Sequence, residues 1–290
     1  MISLLTTGGT IACTQVDGAL VPTLGGAELL ASAHRVAADL PPTRVTDLSL
    51  IDSSAMDFAL LDTVLDAVAA ALDDSSAVVL THGTDSLEET ALAMDLLGGP
   101  IVLTGAQRPA DHPHPDGPGN LAAALTAAAS VERAAIAFGG RVIPARGAYK
   151  TDTHALAAFA SNDAPTRAPA PRARLGTVRI PIVAAYPGAP EWIIDDAVRR
   201  GADGLVVEAL GSGNMSPACG DAVARAAASI PVVIATRVAR GGVALAYGGA
   251  GGGATLSGHG VLSAGRLSAG QARIALAWAV AAGVDPASLL

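Results

Sequence analysis

Strand-length apolar runs alternate with longer segments of helical period along this 290-residue chain. Ile2 to Thr6, Val45 to Ile51, Ala77 to Leu80, Ile101 to Leu103 and Ala134 to Phe138 read as strands. Ala27 to Ala38 reads as a helix. So does Asp57 to Leu72, where Phe58, Leu61, Val64, Leu65 and Val68 recur at helical spacing. Ser86 to Leu97 is a third helix, with Ser86 and Glu89 at capping-box spacing. Strands alternating with helices predict an α/β fold: a parallel sheet covered on both faces.

The stretch from Asn162 to Gly176 breaks the pattern. It is rich in Pro, Ala and Arg and suits neither helix nor strand. It reads as a linker over 163–177 between a domain at 1–162 and a smaller α/β domain at 178–290. In the second part, Ile182 to Ala185, Leu205 to Val207 and Val232 to Ala235 read as strands. Glu191 to Arg200, Pro217 to Ala228 and Ala269 to Ala282 read as helices, and Gly248 to Gly260 as a glycine-rich loop.

With 51% hydrophobic and 15% charged residues, the chain is a core-former. No apolar run reaches the ~20 residues of a membrane helix, so no membrane partner is expected. The net charge of −8 argues against nucleic acid. Cys13 and Cys219 are too few for a disulfide framework, and the start Met1-Ile2-Ser3 has no basic leader. A reducing, cytoplasmic location is the expectation. Cys13 reads as a small buried residue rather than a nucleophile.

Two strand ends carry a hydroxyl beside glycine: TTGGTIA (Thr6 to Ala12) and THGTDSLEETA (Thr81 to Ala91). Ligands of open α/β sheets bind beyond the carboxyl ends of the strands. Gly8-Gly9 allows a sharp bend next to Thr10, whose hydroxyl could attack a carbonyl. The segment fits neither the dinucleotide fingerprint nor the phosphate loop. Thr84-Asp85 precedes a helix start, where Asp85 could cap the helix or face a cationic ligand. His82 reads as packed or hydrogen-bonded. Lys150, in RGAYKTDT, is a surface charge or a base for a threonine hydroxyl. Ser53 and Ser54, in IDSSAMD, suit a carboxylate, or equally an ST-turn capping the helix from Asp57. The run DHPHPD (Asp111 to Asp116) lacks a third-ligand motif, so no metal is expected.

TTGGTIA, DSSAMD, THGTDSLEETA, VLTGAQRP, DGPGNL and YKTDT occur in this order. The set resembles the bacterial-type L-asparaginase/glutaminase family over nearly the whole chain. The resemblance implies a flavodoxin-like parallel-sheet N-terminal domain, a smaller α/β C-terminal domain, no metal or cofactor, and a homotetramer built from tight dimers. It implies hydrolysis of the side-chain amide of L-asparagine to L-aspartate and ammonia. By motif, Thr10 matches the nucleophile, and Thr84, Lys150 and Asp85 the second threonine with its lysine and aspartate. Ser53 and Ser54 would hold the α-carboxylate and Asp85 the ammonium. The Ala106 carbonyl would face the leaving amide, and Asn214 would come from a partner subunit. Backbone N–H groups near Gly9 and Thr84 would stabilise the oxyanion.

Two departures stand out. The family's loop after the nucleophile usually carries a tyrosine, yet Thr14 to Pro22 has none and Leu20 lies near its place. The family's second ammonium-binding carboxylate has no counterpart, since no Asp or Glu occurs from Ala222 to Val284. A different small amide (glutamine, or an analogue without the α-amino group), a non-catalytic sensor of acidic amino acids, and the amidase subunit of a tRNA-dependent amidotransferase, against which the acidic charge counts, are the rival readings.

Overall fold

The first strand, β1 (Ile2–Gly8), is buried along its whole length, as a central strand covered on both faces must be. The computed structural model describes residues 1–290, which divide into two compact units, Met1–Ser161 and Asn162–Leu290. Each is built on its own sheet.

In the first unit β1 is followed by β2 (Cys13–Val16), β3 (Ala19–Pro22), α1 (Gly26–Val36), β4 (Thr43–Ile51), α2 (Phe58–Asp74) and β5 (Ala77–Thr81). Then come α3 (Leu87–Leu97), β6 (Ile101–Thr104), α4 (Gly117–Ala127), β7 (Ala135–Phe138), β8 (Arg141–Pro144), β9 (Ala148–Lys150) and β10 (Phe159–Ser161). The main sheet runs β4-β1-β5-β6-β7-β8. Its first five strands are parallel, and β8 adds antiparallel to β7. Counting the parallel strands in chain order gives 2-1-3-4-5, the flavodoxin-like order. Ile2, Leu4, Val79, Val102 and Ala137 share one core layer with Leu29 and Ala33 of α1 and Leu121 and Leu125 of α4. Side chains alternate along a strand, so the opposite face is left for α2 and α3, which pack on β1, β5 and β6.

Three features of this unit differ from the sequence expectation. Residues 13–22 form a hairpin, with Asp17 (φ 50°) and Gly18 (φ 83°) making its turn. Positive φ at both turn residues matches the twist of paired strands. Helix α4 was not expected, because an alanine-rich, nearly all-apolar segment carries no clear period. The capping box at Ser86 does not form. The Ser86 hydroxyl instead donates to the Ser53 carbonyl at 2.6 Å, a tertiary bond that replaces the local one.

The second unit holds β11 (Ile182–Ala184), α5 (Trp192–Arg199), β12 (Leu205–Ala209), α6 (Pro217–Ala227) and β13 (Val232–Thr236). It ends with α7 (Gly253–Ser257), β14 (Leu262–Ser263) and α8 (Ala269–Ala282). The sheet β11-β12-β13-β14 is parallel throughout. The glycine-rich stretch is not all loop: α7 interrupts it, anchored by the buried side chain of Leu256. Residues 163–177 carry no helix or strand. They are tied to α8 where Trp278 Nε1 donates to the Pro171 carbonyl at 2.8 Å, and the Arg172 guanidinium lies over the same indole.

Candidate active site

The sheet order reverses direction at β1, whose neighbours are β4 and β5. The loops after β1 and β5 therefore border the crevice where open α/β sheets hold ligands. Thr10 follows β1 and Thr84 follows β5. The two loops touch through glycine. Gly9 has φ 76°, and a Cβ there would lie 2.4 Å from the Gly83 Cα. A Cβ on Gly83 would in turn meet the Ser53 hydroxyl at 2.5 Å. Only glycine at both positions lets the backbones approach this closely, and the approach brings together the two turns, distant in sequence, that carry Thr10 and Thr84, each one residue on. The Thr7 hydroxyl reinforces the junction by donating to the Thr81 carbonyl at 2.9 Å.

Thr10 opens a short 3-10 turn, Thr10–Ala12. The Gly9 N–H is already engaged, donating to the Ile51 carbonyl at 3.0 Å. The N–H groups of Thr10 and Thr84 have no backbone partner and are the ones left to face a ligand.

Thr84 is buried, and Lys150 Nζ lies 2.8 Å from its hydroxyl. The same amine is 3.6 Å from Asp85 Oδ1. Asp85 is 61% exposed, so its carboxylate points outward rather than capping α3. Ser53 locks this loop in place: its hydroxyl accepts from the Asp85 N–H at 3.2 Å, while its carbonyl takes the Ser86 hydroxyl. Neither Ser53 nor Ser54 caps α2, because Asp57 does so through the Leu60 N–H at 2.8 Å. Asp52 accepts from the Ser54 N–H, and the Ser54 side chain is exposed.

Around this centre the remaining motifs serve as scaffolding. His82 is fully buried. Its Nδ1 lies 2.7 Å from the Gly83 carbonyl, which can only accept, so Nδ1 carries the proton and Nε2 accepts from the Thr90 hydroxyl. Burial pushes the imidazole pKa down, against a smaller upward pull from the Gly83 bond. Ala106 is buried after β6. The Asp116 carboxylate accepts from the Gln107 and Arg108 N–H groups, and Asn120 bridges the Gly105 carbonyl to the Gly139 N–H. Cys13 is buried, with its thiol pushed up by burial first and then by Asp52 and Asp111. No group of three or more His, Cys, Asp or Glu side chains converges as a metal site requires. Asn214 lies in the second unit, in the turn after β12, where its backbone pairs with Leu210.

One contact was missed in the sequence. Glu88 Oε2 accepts from the backbone N–H of Lys150 at 2.6 Å. A further pair, Asp95 and Arg146 at 3.2 Å, is buried on both sides. The seven-residue spacing of Glu88 and Asp95 in a helix is the only sequence trace of either.

Two adjacent glycine turns, a buried threonine hydroxyl on a lysine amine and an outward carboxylate are what acyl transfer needs. The chain matches the "Asparaginase, N-terminal" model over residues 1–179 and the "Glutaminase/Asparaginase C-terminal domain" model over residues 179–289. It belongs to the asparaginase family. Within the family, it is 36% identical to the probable L-asparaginase of Deinococcus radiodurans, spanning 95% of this chain and 91% of that one. It is 31% identical to L-asparaginase 2 of Escherichia coli over 83% of this chain and 78% of the other. The thermostable L-asparaginase of Thermococcus kodakarensis superposes with a TM-score of 0.84 at 27% identity, covering 99% and 95% of the two chains.

Proposed function

We propose that the chain hydrolyses the side-chain amide of L-asparagine to L-aspartate and ammonia through an acyl-enzyme on Thr10. The single observation that carries the reading is the contact of Lys150 Nζ with the Thr84 hydroxyl, 2.8 Å, beside the glycine junction that bears Thr10. At that distance a proton can pass directly between the two groups.

In this mechanism Thr10 Oγ1 attacks the amide carbon, and the C–N bond breaks as the ester forms. The departing nitrogen leaves as ammonia, taking up the hydroxyl proton. The N–H groups of Thr10 and Thr84 hold the oxyanion; removing one such donor typically costs ~2.7–4 kcal/mol. Water held at Thr84 then attacks the ester; its proton passes by way of the Thr84 hydroxyl and the Lys150 amine to the departing Thr10 oxygen as the acyl–oxygen bond breaks, so aspartate is released and the Thr10 hydroxyl is restored. Asp85 pairs with the substrate ammonium. Ser53 and Ser54 face the α-carboxylate, the Ala106 carbonyl the leaving amide, and Asn214 is contributed by a second copy. The assembly is a homotetramer. The two buried, unpaired cysteines suit a cytoplasmic setting, and no helix is long and apolar enough to cross a membrane.

The test is ammonia release from asparagine and glutamine by the wild-type chain and Thr10→Ala. Release from asparagine that disappears in the variant is the expected result. Equal release by both proteins, or none by either, overturns the reading.

A further inference from the structure

Resting on that reading, we propose that Glu88 and Asp95 are positioning residues that clamp the segment carrying Lys150 onto α3. Lys150 ends β9, a three-residue strand whose only partner is the equally short β10. A two-stranded ribbon of that size is marginal by itself, so it cannot fix an amine to within a hydrogen bond. Helix α3 supplies what the ribbon lacks. Glu88 and Asp95 lie seven residues, two turns, apart and so share one face. Asp95 Oδ2 holds Arg146 Nε at 3.2 Å at the start of the segment, and Glu88 Oε2 holds the Lys150 N–H at 2.6 Å at its end.

The same helix also fixes the other partner. Its first residue, Leu87, comes two residues after Asp85, and the loop bearing Thr84 is pinned by the two Ser53 bonds. Both Thr84 and Lys150 are therefore referenced to one rigid element, although they are far apart in sequence. The Glu88 bond is made to a backbone N–H, so it acts through the main-chain position of Lys150 and not on substrate.

The experiment compares Glu88→Gln, which keeps an acceptor oxygen, with Glu88→Asp and Glu88→Ala, which withdraw it. Misplacing a reacting group by about 1 Å costs on the order of 10²-fold in rate. The clamp therefore predicts that kcat falls by about that factor in the Asp and Ala variants, with KM nearly unchanged and with most activity restored by Gln. A drop in melting temperature with kcat of the folded enzyme unchanged overturns it. Crystal structures of wild type and Glu88→Asp give a readout independent of turnover. A longer distance from Lys150 Nζ to the Thr84 hydroxyl in the variant supports the clamp, and an unchanged one sinks it. Wild type that releases no ammonia defeats the proposed reaction, yet leaves this structural comparison decisive.

Discussion

Lys150 Nζ sits 2.8 Å from the Thr84 hydroxyl and 3.6 Å from the Asp85 carboxylate, although 66 residues separate Lys150 from Thr84. One amine thus reaches both a buried hydroxyl and an exposed acid. Replacing it with an uncharged chain of similar length tests whether it moves protons. Lys150→Met is expected to lower kcat for ammonia release by about 10²–10⁴-fold, the range for a lost general base. Circular dichroism should stay as in wild type, because the side chain is not in the core. Lys150→Arg should not restore turnover, since a guanidinium does not give up its proton.

The glycine junction is a steric requirement. Gly9→Ala would force a Cβ against Gly83 at a φ of 76°. A non-glycine residue in that region costs on the order of 1–3 kcal/mol before any clash is counted. Urea denaturation should show a loss at or above that range. A variant as stable and active as wild type would show that the two turns do not need their close approach.

His82 gives a pH dependence of known sign. Burial lowers its pKa below the ordinary imidazole value of 6.5, so the folded state resists protonation more than the unfolded chain does. The contribution to stability is full above pH 6.5 and declines as pH falls below that value toward the folded pKa. The limiting slope for one group is about 1.4 kcal/mol per pH unit. His82→Asn keeps a donor near the Gly83 carbonyl and does not titrate. Its stability should therefore fall less than that of wild type between pH 6.5 and 5, measured by denaturant titration at each pH.

Cys13 stands three residues after Thr10, but its surroundings disfavour the thiolate a nucleophile needs. Its thiol donates to the Gly9 carbonyl at 3.3 Å, and burial and two nearby carboxylates push its pKa up. Cys13→Ser should retain turnover, and wild-type Cys13 should be alkylated slowly by iodoacetamide at neutral pH under native conditions. Rapid alkylation with loss of activity would place it in the site after all.

Substrate affinity follows from the missing carboxylate. Asp85 is the one acid at the Thr84 turn, and the region from Ala222 to Val284 contains none. A charge-assisted hydrogen bond is worth roughly 1.5–3 kcal/mol. Asparagine should then bind roughly 10–100-fold more weakly than to a relative with both contacts. A Michaelis constant in the low micromolar range would contradict this. A smaller penalty for analogues lacking the α-amino group would support it.

The alternation of apolar runs and helical periods determined the α/β class, because burial on two faces and on one face leave different periods in a sequence. The TTGGT and THGTD segments likewise marked their strand ends, since glycine and hydroxyl residues are local requirements of a tight turn. Other features had no local signature. Ser86 has the spacing of a cap but bonds to the Ser53 carbonyl, and α4 is too uniformly apolar to show a helical period. Strands β8 to β10 are three or four residues long and exist only because a partner strand is present. The tertiary structure alone decided that Gly9 meets Gly83 and that Glu88 and Asp95 hold the Lys150 segment. Those contacts join residues distant in the chain, and their energy depends on a geometry that exists only once the sheet has assembled.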